Sequence, residues 1–544
     1  MDSLWSDADA SAFEGDLGKR VYTSRLLGAN PSLVLHGGGN TSVKVTEPDF
    51  YGDETEVLYV KGSGWDLATI EAEGFSPVRM KPLLAMSTMA ELSDAEMVKQ
   101  QRAALLNPAA PNPSIEAILH AILPFRFVDH THANAILALT NHPEGEERVK
   151  EVFGSRVLMI PYVMPGFILS KVVAEQMGGR DLRGEGIEGM ILLNHGIFTF
   201  DDDARVAYER MIELVSLAED FLQSKASGDH ISTGESHLDL AAWSRLRKQV
   251  GTMRGGAVIG RMNCSAAAAG FAQRSDIEDL AARGPVTPDH SIRTKRVPAV
   301  IGDDIPGDLA NYASAYEEYF QRNQGGETML DPSPRVAVWK GSGVASFGRS
   351  LKEADILQDL AKATWETVQW AEATGGWKAL GEKEIFEVEY WELEQAKLAK
   401  GGAAPDHQGK VAIVSGSAAG IGFACAEALA KAGAQVIGLD LNPEIASIMA
   451  EVGAEGRVVN LTQDERVIEV IEETVTNYGG LDILVSNAGI FTAGAYLHEM
   501  EQENWDKSMA VNLTSHQKLL KYTIPFLKEG FDPSIVLVGS RNVN

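Results

Sequence analysis

Three short runs carry residues whose types and spacing could do chemistry together. Ser114-Ile115-Glu116 is followed by Asp129-His130-Thr131-His132 and later by Asn194-His195-Gly196. His130 and His132 are two apart, so on a strand both imidazoles fall on one face. His195 closes the apolar run Met190-Ile191-Leu192-Leu193, and Gly196 behind it lets backbone pack closely. Three neutral imidazoles with one open position form a Zn²⁺-type catalytic arrangement. Glu116 is the natural fourth group, as ligand or as base. A bare His-x-His pair is more often structural. The carboxylate before it and the His-Gly after it turn the reading toward a metal. The runs around 36–44 and 61–64 have the composition of an anion cradle in front of that site.

A second chemistry begins at Lys410. Val411-Ala412-Ile413-Val414 reads as a buried strand. Ser415-Gly416-Ser417-Ala418-Ala419-Gly420-Ile421-Gly422 then turns into an Ala- and Leu-rich helix. Glycines at Gly416, Gly420 and Gly422 permit the tight turn and the close approach of a pyrophosphate to the helix N-terminus. A second strand, Gln435-Val436-Ile437-Gly438-Leu439, ends at Asp440. A carboxylate there accepts hydrogen bonds from a ribose 2′-OH and repels a 2′-phosphate, which favours NAD over NADP.

The elements that must position these groups read as alternating strands and helices. Leu33-Val34-Leu35 and Val57-Leu58-Tyr59-Val60 read as short strands, and 115–122 as a helix. Ala207, Met211, Leu214, Ala218 and Phe221 fall on one face of a helix, capped by Asp201-Asp202-Asp203. Residues 226–395 form an extension with a faint internal echo. Lys61-Gly62-Ser63-Gly64 recurs as Lys340-Gly341-Ser342-Gly343, and Gly196-Ile197-Phe198-Thr199-Phe200 resembles Gly343-Val344-Ala345-Ser346-Phe347. In the second alignment Ser342 stands where His195 stood. A degenerate repeat and a chance echo are both open on this pattern. Residues 396–408 have linker composition, small, polar and marked by Gly and Pro.

Composition narrows the class. At 544 residues the chain needs more than one core. A net charge of -28 excludes a general nucleic-acid surface, while a locally positive pocket for a phosphorylated small molecule remains compatible with it. Cys264 and Cys425 are the only cysteines, too few for a disulfide scaffold. The start lacks the basic-then-apolar pattern of a secretory signal, and no apolar run approaches the ~20 residues of a membrane span. The expectation is a cytoplasmic enzyme.

Over about residues 20–225 the pattern resembles the class II aldolase/adducin family, and within it the rhamnulose-1-phosphate and fuculose-1-phosphate aldolases. The resemblance rests on Gly39-Asn40-Thr41-Ser42, Gly62-Ser63-Gly64, Pro113-Ser114-x-Glu116, His130-x-His132 and Asn194-His195-Gly196, in that order. It implies that His130, His132 and His195 bind Zn²⁺ and that Glu116 is the catalytic acid/base. It also implies that Asn40, Ser63, Gly64 and Ser114 surround the substrate phosphate, with Lys61 as an added cation. The reaction implied is cleavage of a ketose-1-phosphate to dihydroxyacetone phosphate and lactaldehyde, in a homo-oligomer. The family's acid tyrosine, supplied by a neighbouring subunit, has no identified equivalent here. Adducin-type members lack the metal histidines; this sequence has all three.

Residues 409–544 resemble the short-chain dehydrogenase/reductase family. Asn487-Ala488-Gly489 matches its sheet motif, Asn512 its helix asparagine and Ser540 its catalytic serine. Ser417 and Ile421 fall within its glycine-rich turn. The usual Thr is Ser415, and the usual adenine-side Asp is read as Asn460. The family's Tyr-x-x-x-Lys pair would follow Ser540, and the sequence given ends at Asn544. The expectation is therefore an α/β chain: a metal-dependent aldolase fused to an incomplete Rossmann domain that binds NAD with doubtful dehydrogenase activity. The competing readings are an oxidoreductase with a non-catalytic aldolase-like half, or an adducin-like interaction module.

Overall fold

The computed structural model describes residues 1–226, 228–393, 404–492 and 494–540. Of the expected linker 396–408, residues 396–403 lie outside these. Contacts divide the chain into two compact units. One comprises Met1–Ser232, Ala282–Val297 and Lys362–Lys400; the other comprises Thr233–Ala281, Pro298–Ala361 and Gly401–Asn544.

The first unit is built on a seven-stranded sheet of order β3-β2-β1-β4-β7-β6-β5. Its strands are β1 (Asn40–Pro48), β2 (Glu54–Lys61), β3 (Phe75–Arg79), β4 (Phe127–Thr131), β5 (Val157–Ile160), β6 (Gly189–Leu192) and β7 (Gly196–Asp201). All neighbours are antiparallel except β5 and β6. Its helices include α1 (Gly15–Gly28), α2 (Ala117–Ile122), α3 (Asn134–Thr140), α4 (Gly145–Phe153), α5 (Phe167–Met177) and α6 (Ala204–Lys225).

Strand β4 shows how the sheet sorts its side chains. Val128 packs into the core made with Leu119, Leu169, Phe198 and Phe200. Phe127 packs on the other side with Val43, Ala204 and Ala207. Asp129, on the Phe127 side, pairs with Arg20 of α1 at 2.5 Å, both fully buried. His130 therefore falls on the Val128 side, stacked on Phe198 with ring centroids 4.1 Å apart. Helix α6 starts where its cap predicts: the Asp203 carboxylate accepts from the backbone N–H groups of Arg205 and Val206.

Leu33–Leu35 is not a strand. The N–H groups of Leu33 and Val34 both bond to the Asn30 carbonyl, at 3.0 and 3.3 Å. This turn buries both side chains without pairing their backbone in the sheet.

The second unit holds two sheets. The smaller has the order β8-β11-β10-β9, from β8 (Ile259–Asn263), β9 (Ala299–Ile301), β10 (Val336–Trp339) and β11 (Gly343–Gly348). Its order and strand directions are those of β4-β7-β6-β5: antiparallel, antiparallel, then parallel. The helices of this stretch are α7 (Leu240–Arg254), α8 (Ala266–Ala272), α9 (Ile277–Ala282), α10 (Pro288–Thr294), α11 (Ile305–Asn323), α12 (Leu351–Ala373) and α13 (Glu382–Glu389), of which α10, α13 and α12 from Lys362 onward belong to the first unit. The two Lys-Gly-Ser-Gly runs are not equivalent. The first follows β2, whereas the second makes the β10–β11 turn.

The larger sheet is parallel throughout, in the order β14-β13-β12-β15-β16. Its strands are β12 (Val411–Ser415), β13 (Gln435–Asp440), β14 (Glu455–Val458), β15 (Ile483–Ser486) and β16 (Ser534–Leu537). Helices α14 (Gly420–Lys431), α15 (Asp464–Tyr478) and α16 (Ser515–Leu527) complete this doubly wound domain. Arg247 of α7 bonds its core. The guanidinium lies 2.6 Å from Asp482, with both side chains buried, and donates to the Gly409 carbonyl at 2.9 Å. Among the described residues, no helix is long and apolar enough to cross a membrane.

Candidate metal centre and nucleotide-binding turn

The three histidines converge. His130 lies on β4, His132 just beyond its end, and His195 in the turn between β6 and β7. Their ring nitrogens lie within 4.8 Å of one another and all three are buried. The Nε2 atoms of His130 and His132 are 3.1 Å apart. Two local features make this possible. Asn194 adopts φ +58°, a left-handed conformation that Asn tolerates, and so reverses the chain. A Cβ on Gly196 would collide with the Thr131 carbonyl and crowd the rings of His130 and His132, so only glycine allows the turn this close.

The His130 Nδ1 lies 3.0 Å from the Ile197 carbonyl. That carbonyl can only accept, so Nδ1 carries the proton and Nε2 turns its lone pair to the centre. Burial lowers the pKa of both His130 and His132 to about 3. Both rings are thus neutral near pH 7, the form that binds a metal.

Glu116 sits against the triad. It lies 3.7 Å from His130 Nε2 and 3.9 Å from His195 Nε2. Its Oε2 accepts from Asn40 Nδ2 at 2.6 Å, while Oε1 is buried with no hydrogen-bond partner. The Asn40 Oδ1 meets His120 Nε2, and His120 Nδ1 meets Ser42 Oγ at 2.7 Å. His120, also held neutral by burial, thereby fixes the amide that fixes the carboxylate. An orphaned carboxylate oxygen beside three buried, converging imidazoles fits a divalent cation.

Sequence reasoning missed several of these supports. His120 gives no signal, being one apolar-flanked histidine in a helix. Asn141 links the Asn194 side chain, at 2.6 Å, to the Val286 carbonyl, at 3.0 Å. Asp289 on α10 brings a second carboxylate, 3.7 Å from His132 Nε2.

The expected phosphate residues lie around Glu116 and the Gly62 turn. Ser63, Gly64 and Ser114 come side by side: Gly62 bridges to Pro113, Ser63 N donates to Asn112 O at 2.7 Å, and Ser114 N donates to Lys61 O at 3.0 Å. Lys61 is buried and its ammonium donates to the Gly37 carbonyl at 2.7 Å. Asn40 joins them through Glu116, whose N–H donates to Ser114 Oγ at 3.3 Å. The Asn40 amide is engaged by Glu116 and His120 at both ends, which makes it a support of the Glu116 carboxylate.

In the parallel sheet the glycine-rich turn has the expected form. Gly416 and Gly420 have φ of +67° and +59°. A Cβ on Gly422 would collide with the Gly416 carbonyl, and one on Gly416 would come 2.8 Å from Ala488 Cα. Asn487 Nδ2 donates to the carbonyls of Ser415 and Gly416, both at 3.1 Å, and Ser415 Oγ accepts from the N–H groups of Asn487 and Ala488. The Ser417 hydroxyl is buried without a partner, and Ile421 is exposed on the first turn of α14. Asp440 ends β13 and accepts from Ala418 N at 3.0 Å, which ties the acid to the turn. These groups fit the adenosine and pyrophosphate half of a dinucleotide. Asn460 uses its side-chain oxygen to cap Thr462. Asn512 bonds both backbone groups of Ile490, next to Gly489. Ser540 follows β16 and is exposed.

Comparison with known proteins identifies the domains that carry these residues. Residues 19–222 match the class II aldolase and adducin N-terminal domain, 237–398 the class II aldolase second domain, and 410–544 the short chain dehydrogenase. The chain is 31% identical over 569 residues to the uncharacterized oxidoreductase YuxG of Bacillus subtilis, covering 99% of this chain and 82% of that protein. It is 37% identical over 139 residues to the 3-oxoacyl-(acyl-carrier-protein) reductase FabG of Thermotoga maritima, covering 24% of this chain and 56% of that reductase. Among solved structures, the N-terminal class II aldolase domain of a conserved protein from Thermoplasma acidophilum is 42% identical. That match covers 41% of this chain and 99% of the other, with a TM-score of 0.38. The chain belongs to the family of fused proteins that join class II aldolase domains to a short-chain dehydrogenase domain.

Proposed function

We propose that the aldolase part cleaves a ketose-1-phosphate of the rhamnulose-1-phosphate type to dihydroxyacetone phosphate and lactaldehyde, and that the dehydrogenase part binds NAD. The observation that carries the first reading is the convergence of three buried imidazoles beside a carboxylate that Asn40 holds in place. His130, His132 and His195 would hold Zn²⁺, which when bound offsets negative charge developing on the substrate oxygens during retro-aldol cleavage. Glu116 moves the proton at the carbon, since its Oε1 is aimed at the centre and its Oε2 is pinned. Ser63, Gly64 and Ser114 would hold the phosphate through hydroxyls and turn N–H groups, without needing a net positive surface. Lys61 supplies one buried cation nearby in sequence.

The NAD reading rests on Asp440 at the end of β13, tied to the turn at Ala418. The aldehyde released by cleavage is the substrate class on which an attached NAD-binding domain would act. A purely adducin-like role would leave a buried, converging histidine triad without a task. The test is to incubate zinc-loaded protein with rhamnulose-1-phosphate and, separately, fuculose-1-phosphate, and to measure both products. Cleavage that a chelator abolishes supports the reading. No cleavage of either sugar by the zinc-loaded protein defeats it.

A further inference from the structure

The smaller sheet of the second unit reproduces the arrangement around the metal centre but not its donors. β11 pairs with β8 as β7 pairs with β4: Ala345 faces Met262 as Phe198 faces His130. The first strand of each set leads into a short helix, α8 or α3. Ser346 Oγ donates to the Ala354 carbonyl at 2.7 Å, as Thr199 Oγ1 donates to that of Ala207 at 3.0 Å. In this correspondence Met262, Cys264 and Ser342 take the places of His130, His132 and His195. The second set also contains a run the first lacks. Between α9 and β9 lie residues 283–298, where α4 reaches β5 through 154–156 alone. Residues Ala282–Val297 pack with the first unit, not with their own sheet.

We infer that Asp289, carried on this run, is a fourth side-chain donor of the metal centre, supplied by the second aldolase domain to the first. The inference rests on the reading of the triad as a metal site. Asp289 Oδ2 lies 3.7 Å from His132 Nε2, in the same range as the 3.7 and 3.9 Å that separate Glu116 from His130 and His195. Donors that share one cation at about 2.0–2.2 Å are separated by roughly 3–4 Å, a spacing Asp289 meets toward His132 and Glu116 toward His130 and His195. Among the described residues only the three histidines lie all within 4.8 Å of one another, so a bound cation would draw the Asp289 carboxylate inward. The placement is built. Pro288 opens α10, and α10 packs on α13 within the same unit. The Val286 carbonyl accepts from Asn141, whose own side-chain oxygen accepts from Asn194. The run that carries Asp289 and the turn that carries His195 are therefore fixed by one asparagine. Asn141 is itself held from a third direction, because its carbonyl accepts from Lys378 N at 2.9 Å. Charge agrees as well: neutral imidazoles leave a divalent cation with two positive charges, which Glu116 and Asp289 balance.

The test titrates metal-free full-length protein with Co²⁺ and follows visible absorption, for the unaltered chain, Asp289→Asn and Asp289→Glu. The expected result is one equivalent bound by the unaltered chain. Asp289→Asn binds about 10–100-fold more weakly with a changed spectrum, and Asp289→Glu recovers part of both. Equal affinity and an unchanged spectrum for Asp289→Asn overturn the inference and leave the triad reading standing. Failure of the unaltered chain to bind Co²⁺ overturns both.

Discussion

Replacing Glu116 by Gln separates its chemical role from its structural one. Gln has the same shape, and its side-chain oxygen can still accept the 2.6 Å hydrogen bond from Asn40. The other end of the group is the buried Oε1, which makes no hydrogen bond in the protein. Neutralising it removes a desolvated charge, so metal-free Glu116→Gln should be as stable as the parent or more so. Turnover should behave oppositely. Without a basic oxygen at the reacting carbon, cleavage should fall by roughly 10²–10⁴, about 3–5 kcal/mol of barrier. The assay is a coupled measurement of dihydroxyacetone phosphate release under zinc saturation, alongside thermal unfolding of the metal-free protein. Asn40→Ala is the companion variant. It leaves the carboxylate in place but unpinned, and loses a hydrogen bond to a charged group worth about 1.5–3 kcal/mol. The rate should drop less than in Glu116→Gln, and the acid limb of its pH profile should move upward, because the carboxylate loses a donor that favours its charged form. Near-normal turnover by Glu116→Gln would refute the acid/base assignment.

Three further outcomes follow from the same geometry. Arg247→Met should destabilise the second unit by about 3 kcal/mol, read by chemical unfolding, because it leaves the buried Asp482 carboxylate with only the N–H groups of Val411 and Phe531; a loss under about 0.5 kcal/mol would remove the pair from the account. Calorimetry should show NAD binding more tightly than NADP, and Asp440→Ser should narrow the gap; equal affinities in the parent would count against Asp440 as the ribose reader. His130 and His132 titrate near 3 in the metal-free fold against an ordinary 6.5, so the stability they contribute is complete above about 6.5 and is lost as pH falls toward about 3. Thermal unfolding of chelated protein should show this acid slope, up to about 1.4 kcal/mol per pH unit per histidine, and His132→Leu should flatten it; an unchanged slope in that variant would contradict the burial argument.

The triad was legible in sequence because its geometry is local. A two-residue spacing at the end of a strand and a His-Gly turn mark the three rings in sequence, and the pairing of β4 with β7 brings them together. The glycine-rich turn before α14 was legible for the same reason: its glycines answer backbone contacts with Ala488 and with each other. Leu33–Leu35 misled, because three apolar residues in a row look alike whether they pair in a sheet or fill a turn. The bonds of the Asn40 amide to Glu116 and His120 were not legible, because both partners lie far along the chain. Asp289 could not be read at all. It is an ordinary acidic residue at a helix start, and only the packing of 282–297 brings it to His132. The echo between Gly196–Phe200 and Gly343–Phe347 has a counterpart in matching strand order, whereas the Lys-Gly-Ser-Gly echo joins places the topology keeps apart.

The most direct measurement is zinc stoichiometry beside retro-aldol cleavage in the unaltered chain and in His132→Ala. His132 holds one of the three converging nitrogens, 3.1 Å from that of His130. The account predicts one zinc per chain with cleavage in the parent, and neither zinc nor cleavage in His132→Ala. A variant that keeps one equivalent of zinc and cleaves normally, or a parent that cleaves equally well when stripped of metal, would contradict it.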